Sequence, residues 1–454
     1  MKRNTPATRR QFLATAAATA AGSFLLPRSA VLAAPDGIGR TDHFLYRLSP
    51  PDGPYIDTQR DNKAFAIGDR KVLVSEDNAK TWARSADFAD SENIMFSSIL
   101  GSGNIVFATL TKIYLSTDNL KTYREIVVKD RDGSPYLPHN PSDPKKPGSY
   151  FYSLDGIHTC QIDGREMLIW GNYCNVKHGA APVNIYYSTD QGETVKIAYS
   201  FGRNPHFQQK DAAPATFLGD PDNPVLCRHV HSVAYNPAEN AFYACTGDLD
   251  HGEGHGKECH WLRGTYAAAA DSWNWQVLVS SDANSRYKSG GINFVNGQVY
   301  WVADANGPKN PSEPYDRGIF RCNPADLADK AKHTRIFDAK YELAAMTIDD
   351  GVILVPEYGG ANPCDTGFIF SPDLGKTWAV YDLKEFGDRS GVRVNPRNSD
   401  GWFRVCLREK WMNRAEVLFI KPLSGAPGRP LPAVPGFHAS PGRRSARRRE
   451  IPAR

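Results

Sequence analysis

One eight-residue phrase returns four times in this chain, and that repeat constrains the fold more than any other feature. It reads Ser75-Glu76-Asp77-Asn78-Ala79-Lys80-Thr81-Trp82, then Ser116-Thr117-Asp118-Asn119-Leu120-Lys121-Thr122-Tyr123. It returns as Ser188-Thr189-Asp190-Gln191-Gly192-Glu193-Thr194-Val195 and as Ser371-Pro372-Asp373-Leu374-Gly375-Lys376-Thr377-Trp378. Each copy follows a short apolar run, at 71–74, 113–115, 185–187 and 368–370. Self-similarity of this kind means one supersecondary unit used several times. The phrase has the chemistry of a hairpin turn. Its Asp accepts backbone N–H groups, Gly or Asn takes the left-handed position, and the aromatic packs between neighbouring units.

Between the copies, short apolar runs alternate with turn residues. A second four-stranded unit reads 94–99, 104–110, 112–115 and 123–127. A third runs from about 150 to 201, a fourth from 229 to 279, a fifth from 291 to 337 and a sixth from 343 to 383. Residues 64–84 supply most of a first unit. Strands at 391–394, 402–407 and 416–420 remain, and 44–48 is positioned to complete them as a fourth strand. The expected fold class is all-β, a seven-bladed β-propeller, with six blades as the alternative. Closure by the two chain ends removes the exposed sheet edge. With 38 Gly, 32 Pro and only 5 Met, the composition suits many short strands better than helical bundles.

The repeated phrase resembles the Asp-box, S-x-D-x-G-x-T-W, of the sialidase-like (BNR repeat) β-propeller superfamily, over roughly residues 60–420. The resemblance implies a carbohydrate-active propeller whose boxes lie on the face opposite the active site. Family sialidases carry an Arg-Ile-Pro, which is absent after residue 34. Their arginine triad and Tyr/Glu pair find no residue-by-residue match. Three functions stand: a sialidase-like glycoside hydrolase acting on an acidic glycan, a polysaccharide lyase cleaving a uronate-containing glycan by His/Tyr β-elimination, and a non-catalytic glycan-binding or assembly propeller.

The termini read differently from the middle. Thr8-Arg9-Arg10-Gln11-Phe12-Leu13 resembles the twin-arginine (Tat) export motif, and an alanine-rich run at 14–26 leads to Ala33 and Ala34 as a cleavage site. Residues 1–34 are therefore expected to be a Tat signal peptide, 35–423 the propeller, and 424–454 a disordered basic tail rich in Pro, Gly and Arg. The expected location is periplasmic or secreted, with the Tat machinery and a glycan as partners and no stable membrane anchor. The net charge of +4 misleads: +5 lies in 1–34 and +6 in 424–454, so 4 − 5 − 6 leaves the middle at −7. No basic patch there argues for nucleic acid. Eight cysteines in an oxidising destination predict one or more disulfides.

Blades three to six are expected to carry long loops between their second and third strands, at 171–182, 247–264, 304–317 and 357–366, on one face. The fourth blade is the richest, with Arg228-His229-Val230-His231 and, after it, Asp248, His251, His255 and Trp261. An alternating His-x-His places both rings on one strand face. His229 and His231 are candidates for proton transfer, as are Asp248, Asp304, Glu357 and Tyr358 at equivalent strand ends. Paired carboxylates among them suit glycoside hydrolysis. Arg228, Arg389 and Arg393 are candidates to grip a carboxylate, and Trp261 to stack on a sugar. The 245–260 loop, with His251 and His255, leaves a divalent metal open, Zn or Ca.

Overall fold

The computed structural model describes residues 37–50, 53–109, 111–129, 151, 153, 156–173, 183–202, 219–247, 257, 259–281, 285–305, 316–339, 341–343, 345–357, 367–382, 390–410, 413–423 and 449–452. They form seven sheets of four or five strands, with no α-helix among them. The sheets follow one another around a ring as the blades of a β-propeller. Their first strands are Tyr55–Arg60, Ile94–Ile99, His158–Ile162, Val230–Asn236, Ile292–Val295, Thr347–Asp349 and Ser390–Asn395. Seven blades are present, as the main sequence reading has it.

Packing explains why the second strands read as continuous apolar runs. Ala241–Thr246 and Val352–Pro356 are buried at every residue. Each blade is covered on both faces by its neighbours, so alternation disappears. The outer strand Ser272–Ser281, half in solvent, keeps it. Ring pairs such as Phe65 on Phe107 (5.4 Å) and Phe96 near Trp170 (6.0 Å) fill the seams.

The ring closes where the sequence places the closure. Phe44–Leu48 pairs antiparallel with Asn413–Pro422, Phe44 opposite Pro422 and Leu48 opposite Leu418. The seventh blade thus takes three strands from one end of the propeller and two, Gly39–Arg40 and Phe44–Leu48, from the other. Phe44 is fully buried, its ring 4.8 Å from Tyr381 and 5.4 Å from Phe370.

The four repeat turns share one hydrogen-bond pattern. In each, the Ser Oγ donates to the Asp Oδ1, at 2.8, 3.1, 2.9 and 2.9 Å for Asp77, Asp118, Asp190 and Asp373. The Thr four residues on donates its N–H to the same oxygen and its hydroxyl to the other. Two successive residues lie in the left-handed region in every copy, including Ala79 (φ 62°) and Leu120 (φ 61°). This differs from the sequence expectation of one such residue, Gly or Asn. Side-chain hydrogen bonds on both sides hold a backbone that alanine and leucine alone disfavour. Each turn joins the third and fourth strands of its blade, in blades one, two, three and six.

Within 424–454, read as unstructured, Arg449–Pro452 pairs antiparallel with Thr377–Asp382 as a fifth strand of the sixth blade. An outer sheet edge offers free backbone groups that any extended segment can meet, whatever its apolar content. Among the described residues no two cysteines are joined by a disulfide, and Cys174 and Cys364 lie outside them. Cys245 donates instead to the Tyr287 carbonyl, and Cys227 to that of His229. Residues 1–36 lie outside the described set. Among the described residues no helix is long and apolar enough to cross a membrane.

The turns make an acid-sensitive element. The Thr81 N–H, with the hydroxyls of Thr81 and Ser75, lowers the Asp77 carboxyl to about 2, and Asp118 and Asp373 are lowered likewise. A depressed folded pKa contributes stability above the ordinary carboxyl value, lost as pH falls through the folded one. Stability is therefore expected to drop as pH falls from about 4 towards 2. The variant combining Asp77→Asn, Asp118→Asn and Asp373→Asn should show a flatter urea-midpoint profile across that window.

Candidate functional site

The fourth blade's first strand carries an irregularity that shapes the site. Its register skips between Val230 and Ser232, leaving His231 as an extra residue. Such a bulge re-aims side chains. His229 and His231 are each 1% exposed, with ring centroids 4.9 Å apart. The expectation that both rings share one face is met.

Tyr173 joins them from the third blade. Its ring stacks on His229 at 3.7 Å, 17° from parallel, and meets His231 edge-on at 5.5 Å. The approach depends on Gly171. A Cβ there would sit 2.3 Å from the Val230 side chain, so any larger residue would push the two blades apart.

The fifth blade adds charge. Asp304 directs Oδ2 to Lys288 Nζ at 3.5 Å and to His231 Nδ1 at 3.7 Å. The Lys288 side chain is 2% exposed and that of Asp304 10%. A buried ammonium needs such a partner. The Asp304 N–H also donates to the Lys288 carbonyl. His231 Nε2 lies 2.7 Å from the Gly247 carbonyl oxygen. That oxygen only accepts, so Nε2 carries the proton and Nδ1 faces Asp304. Three blades thus bring together two imidazoles, a phenol, an ammonium and a carboxylate.

Other sequence candidates fare differently. Glu357 sits just after Val352–Pro356 in the sixth blade, 6% exposed, its N–H donating to the Gly367 carbonyl. Arg228 precedes His229 and is half-buried. Asp248, His251, His255, Tyr358 and Arg389 lie outside the described residues, as does most of the 245–260 loop proposed for a metal. Among the described residues no three His, Cys, Asp or Glu side chains are grouped to hold a metal ion. Trp261 is corrected: it is fully buried, its Nε1 donates to the Tyr287 carbonyl at 2.6 Å, and its ring packs edge-on against Trp301. It is a seam residue with no face for a sugar. Arg393 lines the cavity on the ring axis and is held by an ion pair. Its guanidinium faces Asp57 at 3.4 Å and the Ser153 carbonyl at 3.3 Å, in a buried setting where Ser97 also donates to Asp57. It serves an internal ion pair across the first and seventh blades.

Sequence reasoning missed Lys288 and Asp57, and passed over Tyr173 as one of several strand-end positions. A charged residue beside an apolar inner strand is the signal that would have found the first two. A cavity of about 420 Å³ lies on the ring axis. All seven first-strand segments line it, among them Thr58, Ser98, His158, Ser232, Asn293 and Thr347. Ser232 is the immediate neighbour of His231, so the cavity and the cluster share a strand.

No family model matches the chain, and no curated protein matches it. Among solved structures it is similar to the extracellular domain of a hybrid two-component system from B. thetaiotaomicron, at 12% identity and a TM-score of 0.46. The match covers 83% of this chain and 41% of that one. A second such domain from the same organism gives 9% identity and a TM-score of 0.47, over 82% and 42%. The N-terminal domain of Nup159 gives 8% and 0.39, over 85% and 97%. The chain spans about two fifths of the length of the first two.

The buried ion pair anchors the cluster and is open to a direct check. Lys288→Met leaves Asp304 without its ammonium, and chemical denaturation should show a loss of about 3 kcal/mol. Adding Asp304→Asn to that variant removes the stranded charge and should recover part of the loss. A cost below about 1 kcal/mol for the single variant would mean that the pair does not hold the cluster.

Proposed function

We propose that the chain is an exported carbohydrate-active propeller that cleaves a uronate-containing glycan by β-elimination, using the His229–His231–Tyr173 cluster. One observation carries this reading: the three rings lie within 5.5 Å of one another, beside the Lys288–Asp304 pair. β-Elimination needs a base to take the proton beside the uronate carboxylate. The C–H electron pair becomes the new C=C bond, the C–O bond to the leaving sugar breaks, and that oxygen takes up a proton. An imidazole and a phenol in contact are suited to the two proton transfers. A cation must offset the charge developing on the carboxylate, and Arg228, next to His229 in the chain, is the candidate. His231, held by the Gly247 carbonyl and facing Asp304, is a positioning residue in this scheme.

Hydrolysis is the second reading. It is supported by Asp304 and Glu357 occupying matching strand ends on adjacent blades. It is weakened by the commitment of Asp304 to Lys288 and His231, since a glycosidase needs a carboxyl free to protonate the leaving oxygen.

The two separate in one assay on the purified chain with a panel of uronate polysaccharides. A lyase makes products that absorb in the near ultraviolet through the new double bond. His229→Asn and Tyr173→Phe should each lower that rate at least about 100-fold with unchanged thermal unfolding. New reducing ends without absorbance would overturn elimination in favour of hydrolysis. Binding without turnover would favour the non-catalytic propeller.

A further inference from the structure

A second cavity lies away from the axis. A cleft of about 690 Å³ runs between the outer strands of blades three and four, Val195–Ser200 and Ser272–Ser281, and beneath residues 220–224. Trp273 and Trp275 stand two residues apart on one strand, so both present the same face. Their rings lie 5.4 Å apart and 19° from parallel. Gly264 pairs across from Trp275, and a Cβ on it would come within 2.6 Å of the indole. The glycine therefore lets the indole lie flat on the backbone. The Trp275 Nε1 donates to the Ala198 carbonyl at 3.1 Å, which fixes its rotation.

Seam packing alone does not account for these rings. The tryptophans that only fill seams, Trp170, Trp261 and Trp301, are at most 1% exposed. Trp273 and Trp275 pack against the core on one side but are only partly buried, and both line the cleft. The rim is built as well. Asp271 accepts the hydroxyls of Tyr187 (2.9 Å) and Tyr266 (2.7 Å) and pairs with Lys196. Opposite stand the exposed side chains of Lys129 and Asp222.

We propose that this cleft is a glycan-holding site for a neutral sugar chain, separate from the axial cluster. Flat, partly exposed indoles offer surfaces for the apolar faces of sugar rings, and a few placed polar groups fix orientation. Charge selects the class. Lys196 and Asp271 cancel, and on the exposed rim Lys129 stands against Asp222. Among the described lining residues cations do not outnumber anions, so these side chains offer no surplus charge for a uronate or a sulfated sugar. The inference does not rest on the β-elimination reading, and either can fail alone.

The test is hydrogen exchange on the full chain with hexasaccharides of β-1,4-glucan, β-1,4-xylan and α-1,4-glucan, and a uronate hexasaccharide for comparison. At least one neutral hexasaccharide should slow exchange at 195–200 and 272–278. Trp275→Ala should weaken its binding at least tenfold by affinity electrophoresis. Asp222→Lys, on the exposed rim and outside the core, should weaken it severalfold with an unchanged unfolding midpoint, so the proposal stays testable if the tryptophan variant misfolds. Turnover of a small soluble substrate should be unaffected by Asp222→Lys. Protection by none of the neutral probes, protection by the uronate probe alone, or protection confined to 229–232 would each overturn the proposal.

Discussion

The pairing of Phe44–Leu48 with Asn413–Pro422 is the contact on which the rest of the structure depends. Every blade in a closed ring is buried on both faces, and the sequence is written for that condition. Strands such as Ala241–Thr246 carry apolar side chains on both faces. Opening the ring at any seam would expose one face of two blades at once. At roughly 25 cal/mol per Å² of apolar surface, that exposure is costly. Closing the ring with strands from distant parts of the chain converts seven locally folded meanders into one cooperative unit. Phe44, set among Tyr381 and Phe370, carries the closure into the core.

The candidate site inherits its geometry from that ring. Its members come from three consecutive blades, and no single blade holds a complete set. Gly171 lets the third and fourth blades approach closely enough for Tyr173 to stack on His229. The bulge at His231 places an imidazole between the Gly247 carbonyl and Asp304. On the far side of the axis the Arg393–Asp57 pair spans the closing seam. Polar groups buried in this way contribute order more surely than stability. The first strands therefore form a rigid frame around the candidate site.

Much of the fold was legible in the sequence because its signals are local. The repeat phrase encodes its own turn through Ser, Asp and Thr side chains only a few residues apart. The closing strand was legible because six complete units leave three strands over. The left-handed Ala79 and Leu120 were not, since their conformation is imposed by the hydrogen bonds around them. Nor was the pairing of Arg449–Pro452, which rests on backbone groups with no apolar pattern behind them. The site was half legible. A His-x-His on an inner strand announces itself by spacing. Trp261 was misassigned because alternation tells which residues share a face, and in a propeller both faces are interior. Lys288 escaped notice because it precedes the first strand of its blade while Asp304 follows the second, and only the folded hairpin brings the two within 3.5 Å.

Native-state hydrogen exchange at the amides of residues 44–48 tests the central claim most directly. If closure holds the ring together, these amides exchange only through global unfolding, with the same free energy as the core amides of Ala241–Thr246. Exchange at 44–48 by local fraying, several kcal/mol easier than at that core strand and without loss of the other blades, would contradict it.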